Sequence, residues 1–125
     1  MDCKRILVIE DDPAIRSVLR TLLESQHYRV VEAESAARGS VEARGHKPDL
    51  IIVDLGLPDR DGIAVIREIR SQSPVPILVL TAQMATGAVD EDEIASAVAA
   101  HDLVFTEKPV RMSILSASLA RALSA

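Results

Sequence analysis

Short apolar runs alternate with helix-patterned segments along the whole chain, and this alternation restricts the fold more than any single residue does. Ile6-Leu7-Val8-Ile9, Leu50-Ile51-Ile52-Val53 and Ile77-Leu78-Val79-Leu80 are unbroken and largely β-branched. A strand exposed on one face would alternate apolar with polar residues. A continuous run is what a strand covered on both faces requires. Residues 28–33 read as a further strand, and Leu103-Val104-Phe105 as a fifth, weaker one. Between the runs the period changes. Ile15, Val18, Leu19, Leu22 and Leu23 recur at helical spacing after Asp12-Pro13, an N-cap followed by a first-turn proline. Ser35 can cap a small-residue helix running to about Arg44. Gly56, Pro58 and Gly62 mark a loop before the stripe Ile63, Val65, Ile66 and Ile69. Ile114, Leu115, Leu119 and Leu123 line a C-terminal helix. Strands and helices in strict alternation predict a parallel sheet with helices on both faces.

The 125 residues suit one domain, taken as 1–125, and leave no room for a second independent core. With one Phe, one Tyr and no Trp, that core must be aliphatic. The formal net charge of −5 argues against nucleic-acid binding by this domain, because nothing could neutralise a run of phosphates. It also argues against an anionic membrane surface. No apolar run approaches the length of a membrane span or a signal sequence, so a cytoplasmic protein is expected. Cys3, the sole cysteine, cannot form an internal disulfide.

The polar residues show where chemistry gathers. In open parallel sheets, ligands bind beyond the carboxyl ends of the strands, at a switch in strand order. The first strand ends in Glu10-Asp11-Asp12, the third in Asp54 and the fourth in Thr81; the fifth leads through Thr106-Glu107 to Lys108. Glu32, closing the second strand, is placed at the edge. Each residue alone has an ordinary explanation as a cap, a turn former or a solvated charge. Together they put carboxylates, a hydroxyl and an ammonium on one rim. Carboxylate phosphorylation needs such a set. Mg²⁺ takes hard oxygen ligands, which Glu10, Asp11 and Asp54 could supply. Asp54 is the natural nucleophile toward phosphorus. A cation and a hydroxyl would offset charge on the phosphoryl oxygens.

These segments resemble the receiver domain of two-component response regulators. The likeness is carried by Ile6-Leu7-Val8-Ile9-Glu10-Asp11-Asp12, the stretch 48–62, Val79-Leu80-Thr81-Ala82 and Glu107-Lys108-Pro109, in the family's order. The wording of the first two is closest to the winged-helix (OmpR/PhoB-like) class. The resemblance implies a flavodoxin-like, doubly wound five-stranded parallel sheet of order 2-1-3-4-5. It assigns Glu10 and Asp11 to the acidic pair that helps hold Mg²⁺, Asp12 to the following non-ligand position and Asp54 to the phosphoacceptor. Gly56 matches a metal ligand through its backbone carbonyl, Thr81 the switch hydroxyl, Lys108 the phosphate-pairing lysine and Phe105 the switch aromatic. A histidine kinase or phosphotransfer protein is the implied donor. A downstream effector would be reached through the face formed by the fourth helix, fifth strand and fifth helix.

Departures from the family lie after Thr81. The stretch to Lys108 is longer than usual, and Ala100-His101-Asp102 replaces the customary small-residue turn. A receiver-like module that binds a partner without phosphorylation is therefore the alternative. A true aspartyl phosphatase fits less well, because Leu55-Gly56-Leu57 lacks a second carboxylate just after Asp54. The domain is expected to be a phosphoacceptor rather than an enzyme, with at most self-phosphorylation from small donors and slow self-dephosphorylation. A nucleotide site would need a glycine-rich loop after the first strand, which is missing.

Overall fold

The computed structural model describes residues 4–54, 62–81 and 104–107, together with 116, 117, 119, 120 and 123. Its elements run β1 (Arg5–Ile9), α1 (Pro13–Ser25), β2 (Arg29–Ala33), α2 (Ala36–His46), β3 (Leu50–Asp54), α3 (Gly62–Gln72), β4 (Ile77–Thr81) and β5 (Val104–Glu107). The strands form one sheet of order β2-β1-β3-β4-β5, every neighbouring pair parallel. This is the expected order. The fifth strand starts one residue later than Leu103 and continues through Thr106 and Glu107. Residues 116, 117, 119, 120 and 123 are helical.

Each buried strand divides its side chains between two cores. Ile6, Val8, Leu50, Ile52, Leu78 and Leu80 pack with Leu19 and Leu23 of α1 and with Leu119. Leu7, Ile9, Ile51, Val53, Ile77 and Val79 pack with Ala36 of α2 and with Val65, Ile66 and Ile69 of α3. Alternate residues of one strand point to opposite faces, so an unbroken apolar run fills both layers.

The helix signals are met with three adjustments. Asp12 caps α1 through Oδ1, which accepts from the Ala14 amide at 2.8 Å and the Ile15 amide at 3.4 Å. Ser35 caps α2, accepting from the Arg38 amide at 3.2 Å, and the helix runs two residues past Arg44. Val18, placed on the apolar stripe of α1 by its spacing, is 50% exposed. Gly62, read as part of a loop, begins α3. Gly39 is where α2 meets the sheet most closely: a Cβ there would lie 2.5 Å from Ile9 Cδ1 and 2.9 Å from its Cγ1.

Candidate metal and phosphoacceptor site

β1 and β3 lie side by side with Ile9 opposite Val53, so Glu10 and Asp54 leave the sheet as neighbours at its carboxyl edge. Here the order changes direction: the chain passes from β1 to β2 on one side, then returns to β3 on the other. A crevice at such a switch is the usual ligand position of doubly wound sheets.

Glu10 is fully buried, Asp54 is 5% exposed and Asp11 is exposed. Each offers a carboxylate oxygen, and these oxygens lie within 4.8 Å of one another. The Glu10 amide extends the ladder by donating to Ala33 O at 3.0 Å, which fixes the first residue of the turn. Glu10 Oε1 accepts from the Asp12 amide at 3.2 Å. Asp12 itself serves as the cap of α1, so the third acidic residue is occupied elsewhere.

The donor set fits Mg²⁺. All the donors are hard oxygens, and a ligand oxygen about 2.1 Å from the ion implies oxygen pairs roughly 3 to 4 Å apart across the octahedron. A small closure of the cluster, or one water between a carboxylate and the ion, meets that requirement. Asp11 is the exposed member of the set, and Glu10 and Asp54 are its buried members. A separate cavity of about 380 Å³ lies between α2 and α3, lined by Ser40, Lys47, Glu68 and Ser73 among others, and none of the three carboxylates touches it.

Thr81 closes β4, one residue beyond Leu80, which pairs with Asp54; its backbone therefore reaches the same edge on the next strand. Glu107 pairs with Thr81 and ends β5. Phe105 lies inside β5, opposite Val79. Gly56, Lys108, His101 and the atypical segment 83–100 lie outside the described residues.

Sequence reasoning missed the support beneath this cluster. Arg16 Nη1 donates to Glu10 O at 2.9 Å and to Asp11 O at 3.3 Å, and its Nε lies 3.5 Å from Glu32 Oε1. Arg20 pairs with the other oxygen of Glu32. Glu32 lies within β2, which continues to Ala33, and faces these arginines. One signal was available: a cation near the start of a helix opposes the helix dipole and calls for a local reason.

Residues 6–120 match the response regulator receiver domain. The chain belongs to that family. Among its relatives, the KDP operon transcriptional regulatory protein KdpE of Escherichia coli is 48% identical over 118 residues, covering 94% of this chain and 50% of that protein. The virulence transcriptional regulatory protein PhoP of Shigella flexneri is 44% identical over 80 residues, covering 63% of this chain and 36% of that protein. The match thus spans about half the length of KdpE and just over a third of PhoP. The chemotaxis protein CheY4 of Vibrio cholerae superposes with a TM-score of 0.85 at 25% identity, over 98% of this chain and 100% of that one. A receiver domain protein from Methanospirillum hungatei does so with a TM-score of 0.86 at 22% identity, over 98% and 95% of the two chains, and this likeness bears on the fold. This receiver is a module of two-component signalling. No described helix is long and apolar enough to cross a membrane.

Proposed function

We propose that Asp54 is the phosphoacceptor of a Mg²⁺-dependent switch contained in one receiver domain, 1–125. The observation that carries this reading is the buried Asp54 carboxylate, grouped with Glu10 and Asp11 at the switch in strand order. Glu10, Asp11 and Asp54, with the backbone carbonyl of Gly56, would hold Mg²⁺, which would draw off charge from the phosphoryl oxygens. An Asp54 oxygen attacks phosphorus, the bond from phosphorus to the donor nitrogen breaks, and the donor imidazole keeps that electron pair. The product is an acyl phosphate on Asp54.

Lys108 would pair with the phosphoryl group and Thr81 would donate a hydrogen bond to it. The resulting shift at the end of β4, with Phe105 as switch aromatic, would alter the face around β5 that reaches an effector. A histidine kinase or phosphotransfer protein is the donor, and the domain works in the cytoplasm. Its own chemistry is limited to self-phosphorylation from small donors and slow self-dephosphorylation. The relatives' names support a transcriptional output; the sequence resemblance suggests an effector of the winged-helix class, which would make any DNA contacts in place of this acidic domain.

Incubation with acetyl phosphate and Mg²⁺ should add one phosphoryl group, seen by intact mass. The adduct should be absent with EDTA and in Asp54→Ala. No adduct under any condition would overturn the reading in favour of a phosphorylation-independent interaction module.

A further inference from the structure

We infer that Arg16 is the positioning residue of the Glu10-Asp11 turn, and that its anchoring raises the affinity of the carboxylate cluster for Mg²⁺. This rests on the Mg²⁺-dependent reading above. The guanidinium joins three elements: it projects from α1, donates to the two consecutive carbonyls that follow β1, and pairs with Glu32 on β2. Those carbonyls belong to two of the three clustered carboxylate residues. Its side chain is only 20% exposed, and Arg20 holds the far side of Glu32, so the anchor is itself anchored.

Asp11 shows why this matters. Its carboxylate is exposed, so its direction depends on the backbone that carries it. That backbone is held on one side by the Asp12 cap and on the other by Arg16. Freeing the carbonyls would let the turn sample other conformations, and a cation would then have to order it on binding.

Charge alone argues the opposite way. A guanidinium near a cation site repels the cation, so its loss would tighten binding. Glu32 offsets that charge at 3.5 Å, leaving the anchor as the larger effect. The two effects therefore predict opposite signs.

Titration calorimetry with MgCl₂ on the unmodified chain, Arg16→Ala and Arg16→Lys reads that sign directly. Arg16→Ala should bind Mg²⁺ roughly tenfold more weakly. Arg16→Lys should also bind more weakly, because an ammonium keeps the charge but cannot reach two carbonyls and Glu32 together. In metal-free protein, the amides of Asp11 and Asp12 should exchange faster in both variants. The deficit in phosphorylation by acetyl phosphate should vanish as Mg²⁺ approaches saturation. Should Arg16→Ala fail to fold, Arg16→Lys carries the test with the side-chain stem intact. Affinities within twofold of the unmodified chain, or tighter, would overturn the inference while leaving the phosphoacceptor reading in place. Absence of Mg²⁺ binding by the unmodified chain would overturn both.

Discussion

Asp54 and Glu10 are carboxylates placed side by side in the least solvated part of the rim, with Asp11 close by. Each offers an oxygen to the same small volume, the arrangement a hard divalent cation requires. Asp54→Asn keeps the shape but replaces an anionic oxygen of the cluster with an amide, so it should weaken Mg²⁺ binding roughly tenfold or more. Titration calorimetry with MgCl₂ checks this; an affinity within twofold of the unmodified chain would mean that Asp54 is not part of the metal site. The same residues were legible in the sequence because each directly follows or ends a buried apolar run, and parallel strands present their ends on one edge. Arg16 was not legible in this way. It acts through backbone carbonyls, whose positions no residue pattern records.

At the scale of elements, α1 and α2 show what spacing predicts and where it stops. At about 100° per residue, Leu19 and Leu23 of α1 lie close together, with Ile15 and Leu22 just to one side. Val18 falls a further step round, and the helix leaves it half in solvent. Apolar spacing marks the centre of a stripe well and its margin poorly. Helix α2 is different: its small residues gave no broad stripe, because what faces β1 is Gly39 rather than a large side chain. The two glycines of this helix should respond oppositely to alanine. Gly45 has nothing within 4 Å of an added Cβ, so Gly45→Ala should stabilise by about 0.5–1 kcal/mol through helix propensity alone. Gly39→Ala gains the same propensity but drives a methyl into the buried, branched side chain of Ile9. Overpacking costs of about 1–3 kcal/mol should reverse the sign. Thermal melts of the two single variants decide it, and a Gly39→Ala variant that gains stability would contradict the close approach.

For the whole molecule, a cation that binds only the folded rim must stabilise the whole fold. At a Mg²⁺ concentration a hundred times its Kd the gain is about 2.7 kcal/mol. For a domain of this size that is a rise in Tm of about 10 °C. Circular dichroism melts in EDTA and in rising MgCl₂, at constant ionic strength, should show it. A Tm indifferent to Mg²⁺ would count against the cluster as a metal site. The sheet order and the double core followed from the alternation of runs. The longer stretch after Thr81, where the chain departs from its family, has no comparable periodic signal, and residues 82–103 lie outside the described part. The Arg16–Glu32–Arg20 cluster has one more consequence. β2 is an edge of the sheet, with one side of its backbone open to another strand. It is five residues long, begins at exposed Arg29 and carries Glu32 clamped between two arginines. A second chain seeking to extend the sheet there would have to strip water from this ionic patch. A short edge strand carrying such charge is a poor template for pairing with another chain.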